Sequence, residues 1–471
     1  MDKPFIHFLK IHNDIYLFDI NTNMISKVTE RIYNFFTCNG EKEDLNDEDI
    51  LMIDNMKTMG MLCANRIEKI EHPMTEFVED ILENSLNRLT LQVTQNCNFR
   101  CKYCVYSGSY HNRVHNNKRM DWDMAKAALD FLKSHSTNSS ELNISFYGGE
   151  PLLEIDLIKK CVDYCHEIFK RKKVMFNLTT NASLLSDNII KYFDKEKFSV
   201  MISLDGPREI HDKNRTFADG ERGTYDIVIE RINRIKNIAP DLLTRITLNA
   251  VLDNENDFSA IKQYFEKEAL VKDIFVSTNY VNDTNRKEVI VYNNGLNYIE
   301  ICRENFVGLM YLMKRVSRDK VSKLVVRNLA DIEEKIEKRT VSRQVMQAIN
   351  HPGGPCLPGV QRPFVNAYGK LFPCERVNET CEEMCIGNIF DGFDKQAVKR
   401  LLNIGKITEE KCKKCWAFNF CNQCGVMADN GEKLTAETRL KNCDKVRNYV
   451  ENLLKDYIVL KEHGCDFTQS L

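Results

Sequence analysis

The sequence predicts an α/β protein organised on a parallel sheet, with a small α+β unit before it and a cysteine-rich region after it. Three observations carry this reading. Between Arg88 and residue 276, six β-type runs alternate with amphipathic helical runs. Consecutive βα units build a parallel sheet, either curled into a partial barrel or doubly wound. Ahead of Arg88, three short strands and two helical stretches are too few for a catalytic core. The 18 cysteines bunch at 97–104 and 356–443, which sets the C-terminal part apart from the sheet. A chain of 471 residues is expected to hold about two to four domains, and we delimit them as 1–86, 87–285, 286–350 and 351–471.

Hydrophobic residues make up 43% and charged residues 28%, the balance of a soluble globular protein. A net charge of −2 predicts neither a nucleic-acid nor a membrane partner. The start Met1-Asp2-Lys3-Pro4-Phe5 lacks the basic and apolar segments of a signal peptide, and no apolar run approaches the ~18 residues of a membrane span. Many cysteines without an export signal predict a cytoplasmic protein whose thiols serve metal or redox chemistry rather than disulfides.

In the first unit, Phe5–Ile11, Ile15–Ile20 and Met24–Val28 read as strands, separated by His12-Asn13-Asp14 and Asn21-Thr22-Asn23, which carry good turn residues. Helices are expected at Glu30–Cys38 and Leu45–Asn65. Such a sheet offers an edge strand to an extended peptide. Cys38 and Cys63 read as core thiols, and Arg66–Asn87 as a charged helical connector.

The strands of the main sheet are expected at Leu89–Val93, Asn143–Phe146, Val174–Thr179, Phe198–Leu204, Arg245–Val251 and Lys272–Val276. Helices are expected at Asp121–Lys133, Leu152–Lys170, Leu184–Tyr192, Tyr225–Asn237 and Asp257–Lys267. Function in such sheets gathers at the C-terminal strand ends. The first strand is followed by Cys97-Asn98-Phe99-Arg100-Cys101-Lys102-Tyr103-Cys104. Three thiolates at this spacing hold three corners of a [4Fe–4S] cubane and leave one iron open for a substrate. A structural zinc site is the alternative, but it needs a fourth ligand nearby, and only His111 and His115 are close. The second strand runs into Tyr147-Gly148-Gly149-Glu150-Pro151, where two glycines let a ligand approach the backbone. The third ends in Thr179-Thr180-Asn181, and the fourth in Ser203-Leu204-Asp205-Gly206-Pro207, with His211 and Arg215 beyond. Cys161 and Cys165 share one helical face and read as buried thiols, and His211 reads as structural.

Together these motifs resemble the radical S-adenosylmethionine (SAM) enzymes, and from about residue 88 onward the peptide-modifying branch. The resemblance implies a partial (β/α)6 barrel, with Cys97, Cys101 and Cys104 holding the SAM-binding [4Fe–4S] cluster. It implies that Tyr103, Gly148, Gly149, Glu150, Asn181, Ser203 and Arg215 lie around SAM. Arg215 and Ser203 are expected on the SAM carboxylate, and Asp205 orients substrate or caps a turn. Ala182 departs from the family's usual glycine. No general acid or base is assigned.

Residues 280–350 read as a helical bridge without motifs; Cys302 there carries no signal. Beyond it, Phe364–Tyr368 and Lys370–Pro373 read as a hairpin turning at Gly369. Cys412-x2-Cys415-x5-Cys421-x2-Cys424 followed by Cys443 would by itself suit a zinc site. Taken with Cys356, Gly369 and Cys374, it resembles the SPASM extension of peptide-modifying radical SAM enzymes. That resemblance implies two auxiliary [4Fe–4S] clusters, three in all. Cys412, Cys415, Cys421 and Cys443 would hold the distal one, and Cys356, Cys374 and Cys424 the proximal one. No cysteine lies between Cys356 and Cys374, so either Cys381 or Cys385 supplies a fourth proximal ligand, the reading we lean towards, or one iron stays open.

The N-terminal unit resembles a winged-helix-like recognition element that binds a leader peptide. The whole is therefore expected to be a maturase of the sactipeptide or ranthipeptide kind, forming thioethers in a ribosomally made cysteine-rich precursor. Its expected partners are that peptide and a reductase, flavodoxin or ferredoxin. Anaerobic sulfatase maturation, carbon–carbon crosslinking and quinone-cofactor maturation are the rival reactions; a zinc-ribbon peptide adaptor is the rival outside enzymes.

Overall fold

The structure is a computed structural model, and it describes residues 3–38, 40–111, 113–220, 222–253, 255–281, 286–287, 295–342, 345–353 and 356–467. Three strands, β1 (Ile6–Ile11), β2 (Asp14–Asp19) and β3 (Ile25–Val28), form an antiparallel meander in that order. Both faces of this sheet are covered. Leu17 and Val28 pack with Ile32, Ile53 and Met56 of the helices Glu30–Thr37 and Asp47–Thr58. Leu9, Tyr16, Phe18 and Ile20 pack instead against Phe418, Phe420 and the C-terminal helix Cys443–Glu462. The expected boundary at residue 86 is therefore not a break in packing.

The helix predicted at Leu45–Asn65 ends at Thr58, because Gly60 (φ 84°) and Leu62 (φ 62°) turn the chain out of the helix. Its start is fixed by a capping box between Asn46 and Asp49. Cys38 is exposed, not a core thiol. The connector predicted as helical is helical only at Val78–Asn84; upstream, β4 (Lys69–Ile70) pairs in parallel with Ile349–Asn350.

The main sheet begins with β5 (Arg88–Thr94) and continues with β6 (Glu141–Gly148), β7 (Lys173–Thr180), β8 (Ser199–Ser203), β9 (Ile246–Leu252) and β10 (Phe275–Tyr280). Each strand lies parallel beside the next, with no reversal of order. Without a reversal every crossover places its helix on the same side, so the doubly wound alternative falls away. The alternation of side chains agrees. Leu89, Leu91, Ile144, Phe146, Phe176, Leu178, Val200, Ile202 and Leu248 are buried in one core with the helices Trp122–Ser134, Ile155–Ile168, Asp187–Lys195, Tyr225–Ile238 and Phe258–Lys267. The other face is polar: Asn143 accepts from Ser145 and Asn177, and Asn249 accepts from Asn279. A parallel sheet buried among helices on both faces carries continuous apolar runs; this one keeps a hydrophilic side.

β11 (Ile349–Asn350) is the partner of β4, and the predicted hairpin forms as β12 (Phe364–Val365) and β13 (Leu371–Phe372), turning at Gly369 with φ 79°. It does not stand apart: β12 pairs in parallel with β5, so the hairpin extends the main sheet to eight strands. Cys161 and Cys165 are fully buried as expected. In the bridge, helices form at Gly295–Leu312 and Val326–Ile332, while its positions 282–285, 288–294 and 343–344 lie outside the described residues. No helix among the described residues is long and apolar enough to cross a membrane.

Candidate active site

The loop after β5 carries Cys97, Cys101 and Cys104, and neighbouring strand ends hold it on two sides. Arg100 and Lys102 donate their N–H groups to Thr216 and Asn214, and Ala218 donates to Asn98. Phe99 packs edge-on against Phe217 at 5.0 Å. On the other side, the Gly149 N–H donates to Thr94 and the Glu150 N–H to Asn96. A side chain at Gly148 (φ 145°) would run into the Thr94 carbonyl, and one at Gly149 into the Asn96 carbonyl. The glycines read from sequence as room for a ligand thus serve the close approach of two backbone segments.

Each thiol faces a donor. Phe99 N–H lies 3.3 Å from Cys97 Sγ and Tyr106 N–H 3.5 Å from Cys104 Sγ. Asn181 Nδ2 and Arg215 Nη1 lie 3.9 Å from Cys97 and Cys101 Sγ. Burial pushes all three thiols up, Cys101 to about 12, and Cys97 feels both of its neighbours. Buried thiols supplied with N–H donors and neighbouring arginines suit a cationic centre, which deprotonates them on binding.

Arg215, wholly inside, donates through Nε and Nη2 to the two carboxylate oxygens of Asp205. Asp205 also accepts from Tyr103 OH and from Val251 N–H (3.1 Å). Burial alone would raise the Asp205 carboxyl; Arg215 beside it holds it below its ordinary value. His211 is structural, as expected. Its Nδ1 accepts from Asp205 N–H at 3.3 Å, and burial lowers its pKa to about 3. Glu150 is buried and accepts from Thr180 Oγ1 and from the N–H groups of Leu152 and Asn181. Burial raises its pKa to about 7 despite those donors. Ser203 is buried at the end of β8. Tyr103 belongs to the cysteine loop, Gly149, Asn181 and Arg215 contact it, and Gly148 meets the end of β5 just before it.

The C-terminal cysteines fall into two groups. Cys356 feels Cys424, Cys374 feels both Cys424 and Cys356, and burial raises Cys374 to about 12. Cys381 is fully buried and interacts instead with Asp429 and Glu383; Cys385 donates to the Gly387 carbonyl at 3.3 Å. In the other group, Cys421 feels Cys412 and Cys415. Cys412 lies 3.1 Å from Thr408 Oγ1, and Cys443, opening the C-terminal helix, receives Gln423 Nε2 at 3.5 Å. Among the described residues no three Cys, His, Asp or Glu side chains converge around one metal ion.

Sequence reasoning missed a layer between the first and second cysteine groups: buried Gln92, Tyr106 and Arg113, with partly buried Tyr147 and Glu379. The one legible signal was Gln92, a polar residue within an apolar strand.

Residues 91–301 match the family model described as the Radical SAM superfamily, so the segment bearing the cysteine loop is a radical SAM domain. That class uses SAM and a [4Fe–4S] cluster, and Cys97, Cys101 and Cys104 fit the cluster. Among curated relatives, an uncharacterised protein of Methanocaldococcus jannaschii is 37% identical over 30% of this chain and 46% of its own. A cysteine-type anaerobic sulfatase-maturating enzyme of Clostridium novyi is 30% identical over 39% and 49%. The radical SAM cyclopropyl synthase TigE of Paramaledivibacter caminithermalis is 25% identical over 46% and 47%. The chain thus spans about half the length of the curated relatives it matches. Two solved structures share the fold at about 20% identity. Native anSMEcpe with bound AdoMet has a TM-score of 0.58, covering 79% of this chain and 99% of that one. The same protein with AdoMet and the Kp18Cys peptide has a TM-score of 0.57, covering 79% and 98%.

Proposed function

We propose that this enzyme oxidises a peptide, forming thioethers between cysteine sulfur and carbon in a ribosomally made, cysteine-rich precursor. The observation that carries the reading is the second cysteine group, Cys356, Cys374 and Cys424, which interact with one another rather than with Cys381 or Cys385 and whose following stretch, Val377 and Glu379, is tied to Arg113 beyond the first cysteine loop. Three protein thiolates on an auxiliary cluster leave a position for a substrate thiolate. The distal group, Cys412, Cys415, Cys421 and Cys443, holds the third cluster in this reading.

Bound there, the clusters and SAM supply one-electron chemistry that removes a hydrogen atom from the acceptor carbon. In the net change a C–H and an S–H bond break and a C–S bond forms; the carbon's hydrogen atom would end on the deoxyadenosyl carbon of cleaved SAM, the thiol proton would go to solvent and the remaining electron would pass to a cluster. The chain's own residues place and shield these groups. Asp205 and Arg215 hold the cysteine loop through Tyr103 and Cys101, Glu150 ties β6 to β7, and the polar sheet face admits a peptide backbone. The β1–β3 sheet is the surface for a leader peptide added as a strand, and a flavodoxin, ferredoxin or reductase supplies electrons.

A second reading, oxidation of a cysteine in a sulfatase, is favoured by the relationship to the sulfatase-maturating enzyme of Clostridium novyi. Incubation with SAM, dithionite and either a cysteine-rich or a sulfatase-type peptide separates them. Thioether formation removes two hydrogens and one alkylatable thiol. A hydrazide-reactive aldehyde on the sulfatase-type peptide, with the cysteine-rich peptide unchanged, rules for the second reading.

A further inference from the structure

The layer between the first two cysteine groups is built around one buried ion pair. Arg113 Nε lies 2.7 Å from Glu379 Oε1, with the two side chains 4% and 8% exposed. Arg113 Nη2 donates to the Val377 carbonyl at 3.2 Å, and its guanidinium carbon stands 5.4 Å from the Tyr106 ring centre. Gln92 completes the arrangement. Its Nε2 donates to Tyr106 OH at 2.8 Å and to Glu379 Oε1 at 2.9 Å; its Oε1 accepts from Ala367 N–H and from Gln95 Nε2, both at 3.0 Å.

Four segments meet here: β5, the residue two past Cys104, the loop at 113, and the stretch three to five residues past Cys374. A buried ion pair is weak evidence of stability, since well-packed apolar residues in its place are often neutral or stabilising. What the pair does supply is direction. The Arg113 fork is fixed by its hydrogen bond to the Val377 carbonyl and by its charge against Glu379, and Gln92 ties Tyr106 to the same carboxylate.

We propose that Arg113 and Glu379 are positioning residues. The pair, braced by Gln92, fixes the separation between the cysteine loop 97–104 and the Cys356–Cys374–Cys424 group, and with it the space in which a peptide segment lies. The proposal rests on the reading that both groups hold clusters.

The test uses the full chain reconstituted with iron and sulfide, reduced with dithionite in the presence of SAM. The variants are R113M, E379M and R113M/E379M. Each single variant leaves a buried charge unpaired; the double variant does not, and is expected to keep the wild-type iron content and melting temperature. Electron paramagnetic resonance reads the magnetic interaction between the two reduced centres. The expected result is that the double variant keeps both signals but loses the line broadening that each imposes on the other. Unchanged broadening in the folded, fully loaded double variant overturns the proposal. A wild-type protein that shows only the SAM-binding signal overturns the two-cluster reading, and the proposal with it.

Discussion

Arg215 holds Asp205 by both carboxylate oxygens, Nε to Oδ2 at 2.9 Å and Nη2 to Oδ1 at 3.1 Å, with Nη1 left to face Cys101 Sγ. The guanidinium expected on the SAM carboxylate is thus already engaged within the protein. R215M strands a buried carboxylate and is expected to lower stability by about 3–5 kcal/mol. Urea unfolding checks this, and R215M/D205L should recover most of the loss. An R215M variant as stable as wild type would show that Asp205 does not depend on it.

Gly149→Ala places a methyl group against the Asn96 carbonyl, where only backbone movement relieves it. The strand end and the cysteine loop then separate. Reconstituted G149A is expected to bind about four fewer irons per chain and to lose SAM cleavage, while the C-terminal groups keep theirs. Iron and sulfide analysis alongside deoxyadenosine release checks both halves.

Glu150 gives a pH dependence of defined sign. Its pKa rises from 4.5 to about 7 on folding, by burial. The protonated form is therefore favoured in the folded protein, and stability from this group is full below pH ~4.5 and lost as pH rises through ~7. The loss is on the order of 3 kcal/mol. In E150Q the slope across that window should vanish. Denaturation midpoints measured between pH 4.5 and 8 decide it; parallel curves for the two proteins would show that the group does not titrate there.

The proposed function divides the cysteines into ligands and packing residues. C374A and C424A are each expected to lower the iron content, and C97A, C101A and C104A to abolish SAM cleavage. C385A should leave iron unchanged, since its thiol faces the Gly387 carbonyl. C381A should act through packing alone, costing about 1 kcal/mol. Iron loss in either of these last two would restore the fourth protein ligand to the proximal group.

The βα succession was legible because the strands of the main sheet put most of their apolar residues on one face, and each intervening helix carries one apolar stripe. The ends were harder. Met59, Met61 and Leu62 continue the helical apolar pattern past Thr58, yet the backbone at Gly60 and Leu62 has already turned. β10 starts at Phe275 rather than Lys272 because Val271 and Ile274 are held in turns by Glu268 and Val271. The cysteine loop announced itself by spacing. Its supports did not: Asp205 and Tyr103 are 102 positions apart, and Arg113 and Val377 are 264 apart. Charged residues without a periodic pattern carry no sign of their partners. The pairing of β12 with β5 was equally silent, because two-residue strands leave no alternation to read.

The packing of the first sheet against the last helix has a consequence for biosynthesis. Tyr16 hydrogen-bonds Glu462 across 446 positions. At ribosomal speed the second partner emerges roughly 20–90 s after the first. Through that interval Leu9, Phe18 and Ile20 lack the cover of the last helix, while the strands and helices between 88 and 280 are complete and free to fold. The molecule therefore closes last at its first sheet, and the nascent chain needs shielding there.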